Sequence, residues 1–193
     1  MNNILLLEDL PEIRAWMKQL VLQVFPNSLI SEAARVHDAR ELITAVKFDL
    51  ALIDLGLPDG SGVDVVAALR ESQPEAQSVV VTIHDDDDHL FPALQAGAFG
   101  YLLKEQAREA IAEQLKRMSG GEPPLSPSIA RRVISYFAAQ ARPQQTAHSM
   151  PHVQLNLSRH TIADYVKQIY RKLNVSSRAE AALEAQRLGL FRR

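Results

Sequence analysis

The chain contains no cysteine. That absence excludes a disulfide framework and any thiolate metal site, and it fits a reducing cytosol. Long apolar runs are also missing, since no stretch nears the roughly 18 apolar residues of a membrane span. The amino terminus, MNNILLLEDL, has too short an apolar run and no basic flank for a signal peptide. The expectation is a cytoplasmic protein with no membrane partner. Net charge is small, at −2, but it is unevenly spread. Residues 1–150 carry 20 acidic against 13 basic side chains, whereas residues 151–193 carry 3 against 8. A basic end of this size suits nucleic acid electrostatically. With 193 residues the chain can hold one full core plus a small second module.

What is present is a set of short apolar runs that each deliver a polar residue. Leu50 to Leu55 is followed by Gly56, Pro58, Gly60 and Gly62, which reads as a buried parallel strand entering a loop, with Asp54 at its carboxyl end. Ile4 to Leu7 delivers Glu8 and Asp9 in the same way, and Val79 to Val81 delivers Thr82. Leu29 and Ile30 begin a weaker strand, and Phe99 to Leu103 makes a fifth that runs into Lys104.

Helical patterns alternate with these strands. Ile13, Met17, Leu20, Val21 and Val24 fall on one helical face after Pro11, a residue suited to a first turn. Asp38 to Lys47 reads as a helix with Asp38 and Glu41 at capping-box spacing. Further helices are expected over Gly62 to Glu71 and from about Asp86 to Gln95, and a last one carries Ile111, Leu115 and Met118. Five βα repeats in this length predict an α/β fold, a doubly wound five-stranded parallel sheet of order 2-1-3-4-5, with functional groups along the carboxyl edge of the strands.

The acidic pair after strand one, the Asp followed by Leu-Pro-Asp-Gly after strand three, the Thr after strand four and the run GAFGYLLK resemble the CheY-like receiver domain of two-component response regulators. The resemblance implies that Asp54 is the carboxylate phosphorylated from a histidine kinase or phosphotransfer protein. It further implies that Glu8, Asp9, Asp54 and the Gly56 backbone carbonyl hold Mg²⁺, with Asp9 as the direct carboxylate ligand, and that Lys104 and Thr82 bind the phosphoryl oxygens. Tyr101 matches the family's switch aromatic, although simple edge packing explains that residue equally well. A phosphoacceptor with slow self-dephosphorylation is implied, rather than an enzyme. A dehalogenase-like hydrolase is disfavoured, because that family's second aspartate, two residues on, is Gly56 here.

Glu105 stands where many receivers have proline, which favours the NarL/LuxR branch. Ile83 is larger than the residue often found after the Thr, so slower hydrolysis of the phosphorylated form is expected. The acidic run Asp85 to Asp88 reads as a helix amino terminus interacting with the macrodipole rather than as a metal site, and His84 reads as a loop histidine near the mouth of the site.

Beyond about residue 120 the composition shifts toward Gly, Pro, Gln and Ser. The expected division is a receiver over 1–120, a linker with one helix over 121–154, and a small all-α module over 155–193. In the linker Ser126 can cap a helix that opens with Pro127 and carries Ile129, Val133, Ile134 and Phe137. The carboxyl end, LNLSRHTIADYVKQIYRKLNVSSRAEAALEAQRLGL, resembles the second half of a LuxR-type helix-turn-helix. By that resemblance Arg159, His160, Lys167 and Arg171 are the candidate DNA contacts. The two helices that precede it in the family have no counterpart here, a shortfall of about 25 to 30 residues in a domain already near the lower limit for independent folding. Two functions therefore stand side by side: a transcription regulator that dimerises on promoter DNA, and a receiver acting through phosphorylation-dependent protein contacts or dimerisation with a truncated helix-turn-helix.

Overall fold

A computed structural model of the protein describes residues 1–140. Contacts divide the chain into Met1–Ser126 and Pro127–Arg193. In the first unit, β1 (Asn3–Leu7), β2 (Leu29–Ala33), β3 (Leu50–Ile53), β6 (Gln77–Thr82) and β7 (Gly100–Leu103) form one sheet of order β2-β1-β3-β6-β7, parallel throughout. Setting aside the two-residue hairpin strands β4 (Gly56–Leu57) and β5 (Gly60–Ser61), this is the expected order.

The helices between them are α1 (Pro11–Val24), α2 (Val36–Ala45), α3 (Gly62–Ser72), α4 (Asp87–Ala96) and α5 (Arg108–Arg117), and α6 (Pro127–Gln140) opens the second unit. Among the described residues, no helix is long and apolar enough to cross a membrane.

β1 and β3 are central and covered on both faces, so their apolar runs carry no alternation: Ile4 to Leu7 and Leu50 to Ile53 are all fully buried. Ile4, Leu6, Leu50, Leu52, Val79 and Val81 pack with Met17, Leu20 and Val21 of α1 and with Ile111 and Leu115 of α5. Burial of each such Leu or Ile contributes about 1.5–3 kcal/mol relative to exposure. That core fixes the strand register and therefore the position of every group at the strands' carboxyl ends.

One local expectation is corrected. The second helix starts at Val36, two residues before Asp38, and Asp38 does not cap it. The free N–H groups of Val36 and His37 instead donate to the Asp59 carboxylate at 2.9 and 3.1 Å. A distant carboxylate satisfies the same orphan donors that a capping box would. These bonds hold Asp59 below the ordinary carboxylate range, against an opposing effect of desolvation that is the largest single influence on it. At the other end of the unit, Ser126 immediately precedes α6, and its hydroxyl accepts from Leu103 N at 2.9 Å and donates to Gln106 Oε1.

The chain after α5 also returns to the sheet. Leu125 forms a parallel bridge with Tyr101: Tyr101 N donates to Pro124 O at 2.8 Å and Ser126 N to Tyr101 O at 3.0 Å. Glycine permits this approach, because a Cβ on Gly100 would stand 2.5–2.6 Å from Pro124 atoms.

Candidate functional site

Register brings the predicted residues together. Leu7 pairs with Ile53, Ile53 with Val80, and Thr82 with Leu103, so the residues that follow or end these strands lie along one sheet edge. The site is buried: Glu8 and Thr82 are fully covered, and Asp54 is 7% exposed. Asp54 is held from both sides, its N–H donating to Leu7 O at 2.9 Å and its Oδ1 accepting from Leu55 N at 2.8 Å. The other carboxylate oxygen faces Lys104.

Lys104 is the electrostatic centre of the pocket. Its Nζ lies 2.6 Å from Glu8 Oε2 and 3.0 Å from Asp54 Oδ2, with 12% of the side chain exposed. One ammonium thus faces two buried carboxylates. The contact to Glu8 Oε2 has the distance of an ion pair, yet that oxygen has no aligned hydrogen-bond donor. Burial pushes the Glu8 carboxyl up, only partly opposed by the Lys104 ammonium, while the Asp54 charge adds to the rise. A raised acid contributes stability below its unfolded value and loses it as pH rises through the folded value, so an ionised Glu8 destabilises the folded state at neutral pH.

Such a carboxylate is poised for a cation. Glu8, Asp9 and Asp54 each offer one oxygen, and these lie within 4.8 Å of one another. An all-oxygen set of three carboxylates faced by one ammonium suits a hard divalent ion, so the residues fit. Gly56 lies two positions beyond Asp54, in β4, and is exposed.

Thr82 ends β6 beside β3, and its carbonyl accepts from Lys104 N at 2.9 Å. Its hydroxyl makes only a long contact, accepting from His84 N at 3.4 Å. Tyr101 is fully buried, and its hydroxyl donates to His84 O at 2.8 Å. Burial, with the charges of Asp86, Asp54 and Asp85, raises its phenol well above its ordinary value. Ile83, between Thr82 and His84, is 62% exposed.

Sequence reasoning missed two supports. Arg14 donates from Nη1 to the carbonyls of Glu8 (2.6 Å) and Asp9 (3.3 Å), which fixes the backbone of the acidic pair from α1. The signal available was an arginine one turn into the helix that follows an acidic pair. Gly62 is the second: a Cβ there would meet Asp54 O at 1.9 Å, so α3 can start against the Asp54 backbone only with glycine. The candidate DNA contacts Arg159, His160, Lys167 and Arg171, and the whole module 155–193, lie outside the described residues.

Residues 4–116 match the family model of the response regulator receiver domain, and residues 153–185 match that of bacterial regulatory proteins of the luxR family. The chain is a response regulator of the NarL/LuxR type. This response regulator is 27% identical over 209 aligned positions to the nitrate/nitrite response regulator protein NarL of Escherichia coli K12, spanning 98% of this chain and 97% of NarL. It is 30% identical to the probable transcriptional regulatory protein NarL of Mycobacterium tuberculosis over 85% of this chain and 84% of that protein. Among solved structures, a LuxR-family two-component response regulator from Aurantimonas sp. SI85-9A1 matches with a TM-score of 0.64 at 25% identity, over 70% of this chain and 97% of that one. The response regulator is thus a phosphorylated, transcription-regulating protein by family.

Proposed function

We propose that Asp54 is the phosphoacceptor and that its phosphorylation by a histidine kinase or phosphotransfer protein controls transcription through the carboxyl-terminal LuxR-type module. The observation that carries the proposal is Lys104 bridging Asp54 Oδ2 and Glu8 Oε2 in a buried pocket at the strand ends. Asp54 Oδ attacks the phosphorus of a phosphohistidine, the P–N bond breaks, and the departing imidazole keeps its electron pair and takes a proton. The Asp54 backbone bonds hold the nucleophile in place, and Leu55 N–H orients the oxygen that does not attack. Lys104 leaves its carboxylate partners to pair with the phosphoryl group, where an ammonium acts as a point charge.

A bound Mg²⁺ would neutralise phosphoryl charge during transfer. The residues that would hold it are Glu8, Asp9, Asp54 and the Gly56 carbonyl, with Asp9 as the direct carboxylate ligand. The Thr82 hydroxyl has no strong partner to give up, so it is free to bond a phosphoryl oxygen. Its movement alters the surroundings of the buried Tyr101, the switch residue in this reading. The site accepts and slowly releases phosphate rather than turning over a substrate.

The division proposed is receiver 1–120, linker 121–154 and partial helix-turn-helix 155–193, with dimerisation placing Arg159, His160, Lys167 and Arg171 near DNA. A second reading has a specific observation in its favour. The alignment to NarL runs over 209 positions, more than the 193 residues of this chain, so NarL has residues without a counterpart here. A shortened helix-turn-helix that acts through protein contacts or dimerisation fits that difference.

The central assignment is tested by labelling from acetyl phosphate with Mg²⁺ and intact-mass detection. Wild type gains one phosphoryl group and Asp54→Ala gains none; equal labelling of the variant overturns it. Anisotropy titration of the phosphorylated protein with promoter DNA at fixed salt then separates the two outputs, since specific binding supports transcriptional control and its absence supports the second reading.

A further inference from the structure

A second group of metal-ligating side chains stands beside the phosphoacceptor pocket, in the segment that joins β6 to α4. His84 lies on that segment, Asp86 is the N-cap of α4, and His89 is in its first turn. One ligand atom from each lies within 4.8 Å of the others. The two imidazoles stack, with ring centroids 3.9 Å apart and planes inclined by 7°. All three side chains are half-buried, and the His84 ring lies against the phosphoacceptor loop, its Nε2 3.7 Å from the position a Gly56 Cβ would take.

We propose that His84, Asp86 and His89 form a site for a borderline divalent transition metal such as Zn²⁺, Ni²⁺ or Cu²⁺, distinct from the all-oxygen site at Glu8, Asp9 and Asp54. The donor set decides the class of ion. Two imidazole nitrogens and one carboxylate suit Zn²⁺, Cu²⁺ and Ni²⁺, whereas Mg²⁺ favours oxygen alone and keeps its waters. Three protein ligands leave at least one coordination position for water.

The rearrangement needed is confined to side chains. Asp86 Oδ1 caps α4 by accepting from His89 N at 3.1 Å, and it also faces His89 Nδ1 at 2.7 Å. Because imidazole lone pairs lie in the ring planes, two parallel rings cannot both face one ion, so binding turns one imidazole out of the stack and leaves the backbone cap in place. Asp85, Asp87 and Asp88 add negative charge around the site, which favours a cation over an anion.

The position gives the ion a consequence for the response regulator. The His84 carbonyl accepts the Tyr101 hydroxyl, so an ion that fixes His84 to the start of α4 also fixes the hydrogen-bond partner of Tyr101. Cation binding and the Tyr101 environment are thereby joined through one residue.

The test is isothermal titration of the full chain with ZnCl₂ or NiCl₂ in excess Mg²⁺, which keeps the carboxylate site occupied by its hard ion. One ion is expected to bind per chain, with affinity reduced at least about tenfold in His84→Ala and in His89→Ala. A variant with His37, His148 and His152 all changed to Ala is expected to bind as wild type does. No binding, unchanged affinity in both single variants, or loss of binding in the triple variant would each overturn the proposal. A measurement on unmodified protein keeps the test independent of variant folding: Co²⁺ should develop the visible absorption of a nitrogen-ligated low-symmetry site in excess Mg²⁺. A spectrum that stays that of aqueous Co²⁺ counts against it.

Discussion

Lys104→Met removes the ammonium from between two buried carboxylates while keeping most of the aliphatic stem, so packing changes little. Removing one partner of a buried ion pair costs about 3–5 kcal/mol, since the remaining charge is left uncompensated. Lys104 is 12% exposed, against 0% for the Glu8 side chain, which places the expected loss near 3 kcal/mol at neutral pH. With a urea slope of about 1.5–2 kcal/mol per molar, the unfolding midpoint should fall by roughly 1.5–2 M. The loss should depend on pH in one direction. Lys104 supplies the main influences that lower the Glu8 carboxyl, so without it the folded value rises further. The added penalty is absent below the unfolded Glu8 value and grows as pH rises through the folded one. Urea melts of the variant and wild type should therefore converge at pH below the ordinary glutamate range and separate as pH rises above it. Mg²⁺ should also stabilise the variant more than wild type, approaching about 2.7 kcal/mol at a hundredfold excess over its dissociation constant. An equal loss at both pH values, unaffected by Mg²⁺, would mean that Lys104 contributes packing alone and would refute the electrostatic account.

Four further outcomes are expected. Gln73 is buried, accepts from Phe48 N at 2.8 Å and donates to Ile43 O and Val46 O at 2.7 Å each, so Gln73→Leu should cost about 2–4 kcal/mol in urea melts; a loss below about 0.5 kcal/mol would contradict that bonding. Gly62→Ala must displace the Asp54 carbonyl, and it should lose at least about 2 kcal/mol of stability together with slower labelling from acetyl phosphate; wild-type values for both would show that the loop yields freely. The backbone N–H groups of Asn2 and Asn3 hold Asp49 below its usual value, so its contribution exists above about pH 4 and fades as pH falls; Asp49→Asn should flatten the acid limb of a stability profile, and an unchanged limb would count against it. Ile83→Ala should speed phosphate release from the phosphorylated protein, whereas matching rates would remove the steric role given to this exposed side chain.

The sheet was legible because buried parallel strands write themselves as unbroken apolar runs, and each such run ends in the polar residue that the fold delivers to the edge. Glu8, Asp54, Thr82 and Lys104 could be placed for that reason. What could not be read were the contacts that depend on the return of distant chain. Asp59 caps α2 from a loop more than twenty positions on, and a local capping box looked sufficient without it. Arg14 clasps the backbone of the acidic pair through main-chain carbonyls, which carry no residue-type signal, and its side-chain partner Glu32 comes from the next strand. The stacking of His84 on His89 was hidden by the aspartates between them, whose helix-terminus role was correctly expected at Asp86 and drew attention from the rings on either side.

The bridge between Leu125 and Tyr101 has a practical meaning for any shortened form of this protein. β7 is the last strand of the sheet, and residues 124–126 occupy part of its open side. A chain ended at Gly120, where composition begins to change, would leave the Tyr101 amide and carbonyl as free pairing groups on an apolar strand, an invitation to intermolecular strand addition. Ending it after Ser126 would keep that edge covered. The two lengths should therefore differ in sedimentation behaviour as concentration rises, the shorter forming aggregates and the longer remaining dispersed.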